Sequence, residues 1–261
     1  MKRNAVFQVQ ITPDDNTPAS SGKKTFGYNS NLYKFSRSKA ETYAERVGAD
    51  YILLDKPWDR LKDYHPCYHK LFVYELLKDY DNILYVDSDS IITRYCPDVF
   101  DLGISFGATL DYADLQYQGH RYSRFGLSKN WPYFCSGVLL FTKEFYDKTK
   151  NDWERELHDH EQLPVSTQHD QSLFNILVSK YLGTYSIFDN NFGQWSIKGK
   201  FIIHYNGITK TINWSSEDHM KWEDNVKVPS GHSMRDEYWK EYSPIKSIED
   251  SYANQRNKYR S

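Results

Sequence analysis

The 261-residue chain carries 33 basic and 35 acidic residues, a net charge of −2, which excludes the strongly basic face of a general nucleic-acid binder. Its length suits one large α/β domain, or a domain with a small appendage, and is ample to bury a core without staples. Hydrophobic residues make up only 39%, but 22 Tyr, 14 Phe and 7 Trp mean that much of the core is aromatic.

Cys67, Cys96 and Cys135 stand far apart with no CxxC pair, a pattern of reduced structural thiols rather than a disulfide framework or zinc site. No run of about 18 apolar residues occurs, so no transmembrane helix is expected. Met1 to Ile11 has too short an apolar stretch for a signal peptide, and the expected address is the cytoplasm.

In chain order, Ala5 to Ile11 alternates and is β-rich, and reads as a first strand. Thr12 to Gly27 is a Pro/Gly/Ser/Asp-rich loop. Ser36 to Val47 reads as a helix, with Ser36 as N-cap and Gly48 as its C-terminal stop. Tyr51 to Leu54 is a short strand. Pro66 opens another helical pattern with Leu71, Tyr74, Glu75, Leu77 and Lys78 at helical spacing. Asn82 to Val86 is a strand that ends abruptly in Asp87-Ser88-Asp89-Ser90. This alternation predicts a mostly parallel sheet with right-handed crossovers, flanked by helices.

Further on, Ile104 to Leu110, Gly137 to Phe141 and Phe201 to His204 read as strands, and Lys143 to His158 and Asp170 to Lys180 as helices. Beyond Trp214 the chain turns polar, interrupted by Pro229, Gly231 and Pro244. The expected division is a catalytic domain over 1–213 and a polar C-terminal extension over 214–261.

Four constellations carry chemistry. Asp87 and Asp89 follow an apolar strand, at the carboxyl edge where open α/β sheets bind ligands. Hard oxygen donors there suit Mg²⁺ or Mn²⁺; solvated acids in a surface turn are the plain alternative. An EF-hand loop fits worse, because Ile91-Ile92 occupies the stretch that needs further oxygen ligands and Gly. A phosphatase-type DxD would more naturally follow the first strand.

The second constellation runs from His204 to Lys210 after an apolar strand. His204 is a suitable third ligand for such an ion, Gly207 permits close backbone approach to a phosphate, and Lys210 supplies a point charge. Third, Asp170-Gln171 opens an apolar helix, where capping alone would explain Asp170. Fourth, Lys70 lies on the helix preceding the DxD strand, either solvated or reaching a donor.

The stretch His69-Lys70-Leu71, continuing through Tyr80 to Asp89, resembles the donor-binding core of the retaining GT-A glycosyltransferases of families 8 and 34. The resemblance runs on through Cys135-Ser136-Gly137-Val138, Asp170-Gln171-Ser172 and His204, Gly207 and Lys210, from about Val6 to Lys210 in the expected order. It implies a GT-A fold and a metal-dependent hexosyl transfer from a nucleotide-diphosphate sugar, a UDP-sugar by default, to a carbohydrate-type acceptor. Asp87, Asp89 and His204 would hold Mn²⁺ or Mg²⁺, Asp89 most directly. Gly207 and Lys210 would hold the diphosphate, and Lys70 would sit near donor phosphate or sugar. Gln171 and Asp170 would face the anomeric carbon and Asp111 would bind sugar hydroxyls. The first strand, with Phe7 and Val9, would line the base pocket. Two departures stand out: Cys135 replaces the Asn that commonly precedes Ser-Gly-Val, and the membrane anchor usual in family 34 is not expected here, since no run of about 18 apolar residues occurs.

The resemblance also implies retention, with the acceptor hydroxyl attacking on the leaving-group face. Loops at Thr12 to Gly27 and Tyr112 to Asn130 are expected to close over the donor and exclude water. Two rival classes are a sugar-nucleotide hydrolase or nucleotidyltransferase, and a non-catalytic carbohydrate-binding protein. Sugar nucleotidyltransferases usually carry a Gly-rich basic loop after the first strand, which Ile11 to Asn16 lacks. A binding module would have little use for a DxD, a His and a Lys at one sheet edge. Oligomeric state is left open.

Overall fold

A computed structural model describes residues 3–11, 30–111, 125–128, 130–163, 169–188, 192, 201–204, 216–217 and 220. The expected loop Thr12 to Gly27, most of Tyr112 to Asn130, Gly207, Lys210 and nearly all of 214–261 lie outside them.

The central sheet has six strands: β1 (Asn4–Val9), β2 (Asp50–Leu54), β3 (Asn82–Val86), β5 (Phe106–Leu110), β6 (Phe134–Thr142) and β7 (Ser186–Phe188), in the order β2-β1-β3-β6-β5-β7. Within it β1 is parallel to β2 and β3, and β7 is parallel to β5. Strand β6 alone runs antiparallel, between β3 and β5. The sheet is therefore mostly parallel, as the strand–helix alternation predicts. The one reversal puts the start of β6 at the same edge as the ends of β1, β3 and β5. A separate antiparallel pair joins β4 (Ser90–Ile92) to β8 (Ile202–His204).

Strand alternation divides the core. Ala5, Phe7, Ile83, Tyr85, Leu139 and Phe141 face one cluster, while Val6, Leu84, Val86, Val138 and Leu140 face the other. Both faces are covered, which is why the strands read as apolar runs. Among the described residues, the twelve largest fully buried side chains are all aromatic, so the rings build the core as the composition implies. Phe106, for example, packs against Phe134, Phe141 and Phe145 at centroid separations of 5.3–5.4 Å.

Helix α1 spans Ser30–Arg46, so Ser36 is not its N-cap. Ser36 sits inside the helix, fully buried, and its hydroxyl donates to the Ser90 carbonyl while accepting from the Gln8 side chain. A tertiary partner, not a helix end, explains that serine. Gly48 does stop the helix: at φ 65° it lets its own N–H reach Glu45 O and the Ala49 N–H reach Ala44 O.

The pattern after Pro66 becomes a 3₁₀ helix over Pro66–Phe72 followed by the short α2 (Val73–Leu76). The expected single helix over Lys143 to His158 is two, α3 (Lys143–Thr149) and α4 (Trp153–Glu161). The break turns Trp153 inward to stack on Tyr74 at 4.9 Å. Helix α5 (His169–Leu177) continues as a π-turn over Val178–Leu182. Among the described residues, no helix is long and apolar enough to cross a membrane.

Asn175 ties α5 to the sheet. Its amide oxygen accepts from the Trp131 indole (3.0 Å) and the Phe134 N–H (3.1 Å), and its nitrogen donates to the carbonyls of Phe134 (3.0 Å) and Gln171 (2.9 Å). It is wholly buried, so each lost bond leaves a group unsatisfied. Asn175→Ala is expected to lower unfolding free energy by about 3 kcal/mol. The check is the urea midpoint at unchanged m-value; a shift worth less than about 1 kcal/mol would mean the amide is dispensable.

Candidate active site

The catalytic candidates collect at the edge where β1, β3 and β5 end. Strand β3 delivers Asp87, whose N–H donates to the Gly137 carbonyl of β6 at 2.8 Å. The turn closes when the Ser90 N–H reaches Asp87 O at 2.9 Å, and the chain enters β4. Register then pairs Ser90 with His204, which brings an imidazole from far along the chain beside the DxD. His204 Nε2 lies 3.2 Å from Asp89 Oδ1 and 3.4 Å from Asp87 Oδ2.

Ligand atoms of Asp87, Asp89 and His204 all lie within 4.8 Å of one another. Two hard carboxylates and one imidazole fit Mn²⁺ or Mg²⁺ in chemistry, and they converge on one point. The cradle is shaped for the ring: a Cβ on Gly137 would meet His204 Cε1 at 2.3 Å and Nδ1 at 2.6 Å. Glycine is needed here for close approach, not for φ. Burial opposes charge on His204, but Asp89, the hydrogen bonds to both carboxylates and the Cys135 thiol outweigh it and hold the imidazole pKa well above its ordinary value. A cation entering the cluster would therefore compete with a proton.

Lys70 is the second centre. It is not a solvated helix cation: its side chain is 7% exposed, with Nζ 2.9 Å from Asp87 Oδ1 and 2.7 Å from Asp170 Oδ2. The ammonium also donates to Ser136 O and Oγ, at 3.1 and 3.2 Å, and lies 5.0 Å from the centre of the Tyr85 ring. Burial pulls its pKa down, yet Asp170 and Asp87 win and raise it well above the lysine norm. On Asp87, burial acts upward but the Lys70 ammonium and His204 hold the carboxyl below the usual carboxylate range.

Asp170 is buried in the first turn of α5, where its charge also suits the helix dipole. Gln171 beside it is half-buried, and its Nε2 donates to Asp111 Oδ2 at 2.7 Å. A carboxylate only accepts, so the amide nitrogen must be the end facing Asp111. Asp111 follows β5 at the same edge and is held by its own N–H to Tyr133 O at 3.0 Å.

Asp87, Asp89, His204, Lys70 and Asp170 are thus linked by direct contacts, and the Gln171–Asp111 pair joins them through the chain at Asp170. Phe7 is not among them: its ring is wholly buried, against Phe72 and Tyr85. Val9 is partly buried against the same core. The side chain of β1 that reaches the edge is Gln8, with Nε2 3.5 Å from Asp87 O and 3.0 Å from Ser36 Oγ. Sequence reading passed over it because a lone polar residue in a strand has many uses. It also passed over Tyr85, whose signal was its place two residues before Asp87, on the same strand face.

Two outcomes follow from this geometry. Lys70→Met strands the buried Asp170 and the partly buried Asp87 and is expected to cost about 3–5 kcal/mol of stability. Because Asp87 has a lowered pKa, its contribution is complete above the ordinary value of 3.8 and fades as pH falls through the lowered one. The stability gap between wild type and Lys70→Met should therefore be widest near pH 6 and narrow below the ordinary carboxylate value of 3.8 in urea titrations between pH 6 and 2; a gap independent of pH would refute the pairing. Gly137→Ala should expel the His204 ring from between the carboxylates, seen as a changed imidazole ¹⁵N signal in a folded variant. An unchanged signal would mean that β6 yields instead.

Three comparisons bear on this arrangement. The model of Glycosyl transferase family 8 matches residues 5–217. No curated protein matches the sequence at a significant level. Among solved structures, the fold is similar to the galactosyltransferase LgtC in complex with donor and acceptor sugar analogs, at TM-score 0.53 and 16% identity, covering 87% of this chain and 98% of that one. An active-site glutamine-to-glutamate mutant of LgtC gives TM-score 0.54 over the same shares, again at 16% identity. WbbM, a bifunctional glycosyltransferase, gives TM-score 0.54 at 12% identity, over 79% of this chain and 46% of that one. With a GT-A sheet, an acidic pair at its edge and a family match over most of its length, the chain belongs to glycosyltransferase family 8.

Proposed function

We propose that this glycosyltransferase moves a hexose-type sugar from a UDP-sugar to a hydroxyl of a glycan or similar acceptor, with retention, using Mn²⁺ or Mg²⁺ held by Asp87, Asp89 and His204. The observation that carries the reading is the convergence of those three ligand atoms within 4.8 Å. A cation held there would neutralise charge developing on the leaving diphosphate. Gly207 and Lys210, six residues or fewer beyond His204, would hold the same diphosphate. The family match ends at residue 217, close to the proposed domain boundary after 213. Three cysteines outside any disulfide support a cytoplasmic address.

The chain's own groups have distinct tasks in this scheme. Lys70 holds Asp87 and Asp170 together, so the cation side and the sugar side keep one geometry. Gln171, its nitrogen committed to Asp111, would offer its amide oxygen to the donor, and that dipole would steady positive charge at the anomeric carbon. The active-site glutamine of LgtC supports giving Gln171 this part. Asp111 orients sugar hydroxyls. As the bond to the diphosphate breaks, the acceptor oxygen bonds the anomeric carbon on the same face and its proton passes to a leaving phosphate oxygen.

The test is nucleotide release across a panel of UDP- and GDP-sugars, with Mn²⁺ and then EDTA, in wild type and Asp89→Ala. One donor should be turned over, EDTA should abolish the activity, and Asp89→Ala should lower it at least about a hundredfold. Turnover indifferent to EDTA would remove the cation from the scheme. Turnover of a GDP-sugar alone would overturn the UDP assignment.

A further inference from the structure

We infer that Tyr85, together with Lys70, confines Asp87 to a single oxygen toward the cation and so makes the cluster selective for small octahedral ions, Mn²⁺ and Mg²⁺, against Ca²⁺. This rests on the cation-binding reading above and adds a specificity residue to it.

The two oxygens of Asp87 have different partners. Oδ1 accepts the Tyr85 hydroxyl at 2.5 Å and lies 2.9 Å from Lys70 Nζ. Oδ2 is the oxygen that faces His204, at 3.4 Å. Turning Oδ1 toward an ion would strip a buried phenol and a buried ammonium of a shared acceptor, and unmade bonds at buried groups are costly.

Neither partner can follow the carboxylate. The Tyr85 ring is 1% exposed, edge-on to Phe7 at a centroid distance of 5.6 Å, and Lys70 lies against its face. Lys70 is held in turn by Asp170 and Ser136. Tyr85 and Asp87 are two apart at the end of β3, so the pleat sets the reach of the hydroxyl to the carboxylate. Phenylalanine would fill this aromatic core equally well. The hydroxyl is the polar addition, and Asp87 Oδ1 is its acceptor.

One-oxygen ligation matters because the two ion classes differ in coordination number. Ca²⁺ takes six to eight oxygens and can draw two of them from one carboxylate, whereas Mg²⁺ and ions like it demand near-octahedral geometry. A carboxylate locked to one oxygen withholds the extra ligand that Ca²⁺ would use. The result is discrimination by a group that touches no ion.

The experiment measures Mn²⁺ binding by electron paramagnetic resonance and its displacement by Ca²⁺, in wild type, Tyr85→Phe and Tyr74→Phe. Tyr74 is the control: its buried hydroxyl donates to Thr149 Oγ1 at 2.9 Å, away from the cluster. Wild type should favour Mn²⁺ strongly, and Tyr85→Phe should narrow the Ca²⁺-to-Mn²⁺ ratio of dissociation constants about tenfold or more. Tyr74→Phe should lose stability and keep the wild-type ratio. A folded Tyr85→Phe with a ratio within about twofold of wild type would overturn the inference and leave the cation reading standing. Absence of Mn²⁺ binding in wild type would instead refute that reading, and this inference with it. Should Tyr85→Phe not fold, infrared carboxylate splitting of Ca²⁺-treated wild type decides: no new two-oxygen signature is expected, and its appearance would overturn the proposal.

Discussion

One lysine ammonium, buried between two carboxylates, holds this end of the molecule together. Lys70 comes from the 3₁₀ helix after Pro66, Asp87 from the end of β3 and Asp170 from the first turn of α5. An unpaired charge at that depth would be intolerable, so each member requires the other two. Such pairs seldom add net stability over apolar packing, but they fix geometry, since an ion pair without water has few alternative arrangements. The carboxylate shared with His204 passes that constraint to the DxD. Ser136, which meets the same ammonium, passes it to β6.

Topology explains why these groups can meet at all. In a wholly parallel sheet the start of every strand lies opposite the ligand edge. The reversal of β6 brings Cys135, Ser136 and Gly137 to that edge, where a bare glycine makes room for the His204 ring. The small β4–β8 ladder then aligns His204 with Ser90, one residue past Asp89. Ser36 in α1, bonded to Ser90, braces that ladder from the other side. Beside them, Asn175 sets the seating of α5 and hence of Asp170 and Gln171. The candidate groups stand on strands and helix ends whose positions are over-determined by buried polar contacts, an arrangement that suits preorganised electrostatics.

Much of this was legible from residue order. A continuous apolar run ending in acids marked β3 and its edge, and the spacing of Gly48 marked the end of α1. Where local signals misled, a tertiary partner was the reason. Ser36 has the chemistry of an N-cap but bonds Ser90 and Gln8 across the fold. The pattern from Lys143 to His158 is interrupted between Thr149 and Trp153, and Trp153 then stacks on Tyr74 from a distant helix. Phe7 alternates onto the core face, and Gln8 onto the edge network.

By itself, then, the sequence determined the α/β class, the aromatic core, the carboxyl-edge DxD and the types of residue available for chemistry. Those properties depend on local periodicity and on side-chain chemistry, which need no knowledge of distant neighbours. Only the tertiary structure decided that Lys70 is buried rather than solvated, that Gln171 spends its amide nitrogen on Asp111, and that Tyr85 occupies one oxygen of Asp87. Each of those facts is a choice of partner between side chains from 2 to 100 residues apart. Strand register and burial make that choice, because a polar group removed from water must take whichever partner the packing places within reach.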